Sequence, residues 1–167
     1  EWVNLKFYYK ILEARRKIDP LIPPKGVMLN MGSKINSDSP DYAPFMHPSD
    51  SILIFTSRRN EEIVIDDLYE QRNEDLFFSQ RDFINGTWSY AQKFSDKINS
   101  EFNEGSSCLA TDGKTFYFTR CDSDEGMGSC DIYSAQFSGG DWTNVKNLGS
   151  KVNSTEWDSH PNISPDG

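Results

Sequence analysis

Few residues in this 167-residue chain have the chemistry of a reactive centre. The imidazoles are His47 and His160, the thiols are Cys108, Cys121 and Cys130, and the closest paired carboxylates are Asp66 and Asp67. An imidazole can act as a base, a thiolate as a nucleophile or metal ligand, and two carboxylates as an acid and base pair. Each needs a partner at a set distance, and the spacing supplies none. There is no Gly-x-Ser-x-Gly elbow, no His-Glu-x-x-His and no phosphate-cradling loop. Asp66-Asp67 sit adjacent in a charged stretch, with nothing to hold a glycosidase separation. Asp122-x-Asp124-x-Gly126 hints at a calcium loop but lacks the remaining acidic positions and the closing Glu of an EF-hand. The reading is therefore not an enzyme, with no cofactor and no metal site. His47 and His160, each beside Pro at the start of an inner strand, remain as candidate binding positions.

Those positions belong to a repeat. Lys-(Ile/Val)-Asn-Ser occurs three times, with its asparagines at 36, 99 and 153, so the spacings are 63 and 54 residues. Met46, Leu109 and Ile163 follow at one offset, and Asp112-Gly113 and Asp166-Gly167 at another. Ile54-Phe55-Thr56-Ser57 aligns with Tyr117-Phe118-Thr119-Arg120, and Asp75-Leu76-Phe77-Phe78 aligns with Asp131-Ile132-Tyr133-Ser134. Trp88 and Trp142 each stand eleven residues before the next motif asparagine. The longer first period is explained by extra residues between strand-like runs, chiefly the acidic stretch from Asn60 to Asn73, which reads as a solvated hairpin extension.

In the second unit four apolar runs, near Ser107–Ala110, Thr115–Arg120, Ile132–Gln136 and Thr143–Leu148, are divided by turn residues. Asp112-Gly113 is a strong hairpin signal, because Gly accepts positive φ without strain. Four strands per unit, repeating every 40–60 residues or so, is the signature of a β-propeller blade. The expected fold is all-β: a partial propeller of four-stranded antiparallel blades, two complete and a third begun, behind an N-terminal helix. The expected domains are a helix and Pro-rich linker over 1–24, blades over 25–96 and 97–150, and a truncated blade over 151–167. Asp112 and Asp166 should hold turn backbone through their carboxylates. Trp88 and Trp142 should wedge between blades.

Bulk properties agree with this reading. Aromatics make up 13% of the chain, and rings in short runs suit strands. The formal net charge of -9 repels phosphate backbones and argues against nucleic acid. No apolar run is long enough for a membrane-spanning helix. The chain starts without Met and breaks off inside a motif, so it reads as a piece of a longer protein.

The motif His160-Pro161-Asn162-Ile163-Ser164-Pro165-Asp166-Gly167 resembles the WD-repeat-like propeller units of the TolB type. Cys108-Leu109-Ala110-Thr111-Asp112-Gly113-Lys114 with Tyr117-Phe118-Thr119 is a looser copy. Phe45–Asp50 with Ile54–Ser57 departs further, lacking the Gly. The stretch from Gly126 to Tyr133 is similar to a subgroup from Bacteroidetes-type cell envelopes, in which the propeller precedes an OmpA-like peptidoglycan-binding domain. Some of that subgroup resemble accessory lipoproteins of the type IX secretion machinery. The resemblance implies a non-catalytic scaffold in the periplasm, associated with the outer membrane, whose partners are envelope or secretion proteins. Peptidoglycan would be reached only through other domains. The alternative is the accessory gating propeller of a prolyl-oligopeptidase-like serine peptidase, with its catalytic domain outside this chain. An exported protein permits a disulfide between Cys121 and Cys130, which bracket a turn between neighbouring strands. Two free thiols or a soft-metal site are the competing readings. Cys108 reads as a buried free thiol. His160, Asp112, Asp166, Asp131 and the cysteine pair are expected at turn and channel-facing positions.

Overall fold

The computed structural model describes residues 29–59, 73–164 and 166, together with 9–10, 12–14 and 16. The chain divides into two units, Glu1–Asn30 and Met31–Gly167. In the first, the described residues between Tyr9 and Arg16 are helical; the rest of the expected helix and the Pro-rich linker lie outside the described residues. So do the acidic extension up to Arg72 and the terminal Gly167.

The described residues of the second unit are mostly β, with almost no helix, and form two antiparallel sheets. β1 (Asp41–Met46), β2 (Ile52–Ser57) and β3 (Asp75–Asp82) run in order, and a broken outer strand follows, made of β4 (Thr87–Trp88) and β5 (Gln92–Lys93), both paired with β3. The second sheet is the meander β6 (Asn103–Leu109), β7 (Thr115–Cys121), β8 (Cys130–Ser138) and β9 (Asp141–Asn147). Among the described residues neither sheet closes on itself. Asp112 shapes the β6–β7 hairpin: its carboxylate accepts from the Lys114 and Thr115 N–H groups and the Thr115 hydroxyl, while Gly113 takes φ +66°. Those bonds, led by the Thr115 hydroxyl, hold the Asp112 carboxyl below the usual range. Asp166 is likewise lowered, first by the Ser164 hydroxyl.

Side chains alternate across a strand, so β2 contributes to two cores. Ile54 and Leu76 pack against Ile98, Leu109, Phe116, Phe118, Tyr133 and Ala135 in a core between the sheets. Leu53, Phe55 and Phe77 face the other way and cluster with Ile35. A strand buried on both faces needs no polar alternation, which explains the continuous run Ile52-Leu53-Ile54-Phe55. Trp142 packs on the core between the sheets, whereas Trp88 packs on the second cluster. In repeat register the second cluster matches Ile98, Phe116, Phe118, Tyr133 and Trp142, so both units present the same face in the same way.

The motif asparagines join successive units. Asn99 pairs through its amide with both Leu76 N–H and Leu76 C=O, each at 2.9 Å. Asn153 does the same with Ile132, at 2.8 and 3.0 Å. A side-chain amide presents a donor and an acceptor side by side, as a peptide does, so it pairs with Leu76 or Ile132 as a strand residue would, beside the Phe94 and Leu148 N–H groups that share the same carbonyls. Asn153→Ala takes the partner from Ile132 N–H, at a site where Asn153 is 4% exposed, while Ile132 C=O keeps Leu148 N–H at 3.1 Å. The expected loss is about 1–3 kcal/mol, read as a lower urea midpoint at unchanged slope.

β6 begins at Asn103, four residues before the apolar run suggested, because Glu104 and Ser106 are buried despite their polarity. β1 and β6 each carry a bulge, with Ala43 at φ +48° and Ser106 at φ +40°. His160 stands at the same offset in the third copy, at φ +58°.

Candidate functional site

Tripeptides at one offset in all three repeats come together, two of them at the β1 and β6 bulges. Ala43-Pro44-Phe45, Ser106-Ser107-Cys108 and His160-Pro161-Asn162 line one cavity of about 270 Å³. A threonine on the preceding unit fixes each step. Thr56 Oγ1 accepts from Ser106 N–H (3.0 Å) and Thr119 Oγ1 from His160 N–H (3.2 Å). Gly105 eases the first of these approaches, since a Cβ there would lie 3.1 Å from Thr56 Oγ1 and push that side chain aside by a few tenths of an ångström.

The cavity holds polar chemistry of modest reactivity. The Ser107 hydroxyl is buried and, with Tyr133 Oη, lacks a hydrogen-bond partner among the described residues. Cys108 is a buried free thiol, pushed up by burial against the opposing pull of the Ile163 N–H. Such a thiol is a poor nucleophile at neutral pH. His160 is exposed, with Nδ1 2.9 Å from Ser159 Oγ.

His47 is elsewhere. It follows the end of β1, in the turn to β2, rather than opening an inner strand, and Nδ1 contacts Ser49 Oγ at 2.7 Å. It lines a separate cavity of about 240 Å³ between the sheets, walled by Ile54, Phe78, Phe94, Leu109, Phe137 and Trp142. The pairing of His47 with His160 suggested by their flanking prolines thus fails: the two stand at different offsets from their motif asparagines, His160 at the bulge position and His47 just past the end of the inner strand.

Asp131 also sits away from the tripeptide cavity. It is buried at the start of β8, where it accepts from the Met127 and Gly128 N–H groups and from Asn147 Nδ2. Its work is to shape the loop over 122–129. Cys121 and Cys130 face each other in register across β7 and β8 and are disulfide-bonded. Among the described residues no group of three or more His, Cys, Asp or Glu side chains is placed to hold a metal ion.

Sequence reading missed a carboxylate latch beside the inner strands. Asp41, Glu104 and Asp158 occupy one repeat position, and each accepts from the backbone N–H and hydroxyl of the motif serine, Ser37, Ser100 or Ser154. Arg120 Nε bonds Glu104 at 2.8 Å and its Nη2 bonds Ile98 C=O at 2.8 Å. Arg59 repeats this with Asp41 (2.7 Å) and Ile35 C=O, although it lies two residues further along the chain than Arg120 does in its unit. The recurring carboxylate after Asn-Ser was the available signal.

Comparison with known proteins gives no match: no family model, no curated protein and no solved structure corresponds to this chain.

Proposed function

We propose that this chain is two blades and the inner strand of a third from a β-propeller, acting as a non-catalytic protein-interaction scaffold of a bacterial cell envelope. The observation that carries the reading is the convergence on one cavity of the β1 and β6 bulge tripeptides and the tripeptide at the same offset in the third copy. Inner strands arranged side by side about a common space are what a propeller needs, and loops at the mouth of that space are where such folds bind. The envelope placement rests on the TolB-type resemblance and is compatible with the Cys121–Cys130 disulfide, since disulfides persist in oxidising compartments. A buried, unactivated thiol and an exposed imidazole held by a neighbouring serine suit contact rather than turnover.

The test is photo-crosslinking from position 162 in the parent protein within intact envelopes. A discrete adduct with an envelope protein, weakened by His160→Ala, supports the scaffold. Absence of an adduct, together with covalent labelling of the parent by a fluorophosphonate, would assign the propeller to a serine peptidase instead.

A further inference from the structure

The two complete units differ at one cross-strand position. In the second, Cys121 ends β7 and Cys130 opens β8, joined by the disulfide. In the first, the equivalent positions hold Arg58 and Glu74, just beyond the Ser57–Asp75 pair, and they form an ion pair with Arg58 Nε 2.7 Å from Glu74 Oε1. Both ties stand where the next unit docks. Glu74 C=O accepts from Glu104 N–H at 2.6 Å, and Cys130 C=O accepts from Asp158 N–H at 2.9 Å.

The disulfide side carries more of the docked chain. Ser129 donates to Glu156 C=O from both its N–H (2.9 Å) and its hydroxyl (3.2 Å). Gly128 lies so close to this strand that a Cβ would fall 2.1 Å from Glu156 O. Cys130 and Trp157 form a parallel bridge, and His160 N–H reaches Thr119 two residues before Cys121. The end of the loop over 122–129, with Cys130 and Thr119, thus grips residues 156–160, and the S–S bond closes the base of that loop.

We infer that the Cys121–Cys130 disulfide is a redox-dependent clasp that decides whether residues 156–160 stay seated on the second sheet. The first seam, tied by Arg58 and Glu74, is indifferent to redox state. Cys130 is buried and Cys121 only half-buried, so a dithiol reductant attacks Cys121 Sγ. Its thiolate forms a mixed disulfide there, and Cys130 leaves as a thiolate and takes a proton. The reductant's second thiol then displaces Cys121, which leaves as a thiol. The protein gains two electrons and two protons, and the reductant departs as its own disulfide. The inference stands on these contacts and not on the propeller reading.

Hydrogen exchange of the whole chain, oxidised and then reduced with dithiothreitol, tests it. The Ser129, Asp158 and His160 amides should exchange roughly tenfold faster or more after reduction, as a local opening would produce. The Phe55 and Phe77 amides beside the first seam should hold their rates. Cys121→Arg with Cys130→Glu, which installs the first unit's tie, should keep Asp158 and His160 protected with or without dithiol. Unchanged Asp158 and His160 rates in the reduced wild type would overturn the clasp. So would equal acceleration at every core amide, which would make the disulfide a global staple. A double variant exchanging like the reduced wild type would overturn the equivalence of the two ties.

Discussion

Arg120→Ala should cost about 3–5 kcal/mol, because it strands a carboxylate that cannot reach water. Glu104 is 0% exposed, and Arg120 is its cationic partner. Removing the guanidinium also frees Ile98 C=O, its second acceptor. The loss should grow with pH. Burial raises the Glu104 carboxyl above its ordinary value, against the opposing pull of Ser100 and Arg120. A raised folded value means that the native state keeps a proton the unfolded chain has released. Its contribution is therefore complete below the ordinary glutamate value and is lost as pH rises through the folded one. Without Arg120 the folded value climbs further, so urea midpoints of variant and wild type should lie closer at pH 4 than at pH 7. A gap that stays constant or narrows with rising pH would mean Glu104 is not the stranded group.

The equivalent Asp41 has the opposite sign. Burial again pushes upward, but the bonds from Arg59, Ser37 and Ser57 outweigh it and leave the carboxyl below its ordinary value. Asp41 therefore adds stability above the ordinary aspartate value and loses it as pH falls through the folded one. One motif position thus works in two regimes, set by how deeply its carboxylate lies.

Phe116→Ala is the second large effect, at about 3–5 kcal/mol. Phe116 is fully buried between the sheets, with ring centroids 4.9 Å from Phe94, 5.2 Å from Trp142 and 6.0 Å from Phe118. Deleting the ring opens a cavity walled by both sheets, which cannot collapse without moving one against the other. Phe137→Ala is the control: it also meets Trp142, at 5.2 Å, but is 43% exposed. Its effect should be well below half as large, in line with the area it removes from water. Equal shifts of the denaturation midpoint would show that the aromatic cluster, rather than burial between the sheets, carries the energy.

Several features were legible before any coordinates. Strand runs, the Asp112-Gly113 hairpin and the repeated Lys-x-Asn-Ser motif depend on local chain chemistry: alternation, positive φ and side chains that bond their own turns. A cross-strand pairing of Cys121 and Cys130 was one of the readings the sequence offered, since they bracket a turn between neighbouring strands.

Other features needed residues far apart in the chain. Glu104 reads as a solvated residue until Arg120, sixteen positions away, arrives beside it. The early start of β6 was hidden for the same reason. Arg59 does for Asp41 what Arg120 does for Glu104 from a different place in the strand, so alignment alone could not pair them. His47 and His160 looked alike because each adjoins a proline, yet they line different cavities. By itself the sequence determined that this chain is a repeat of short antiparallel strands and where each turns. Only the tertiary structure decided which polar groups are buried together and which tie holds each seam. Turn and strand preferences act over a few residues, whereas charge pairing and desolvation are set by whatever the fold brings within a few ångströms.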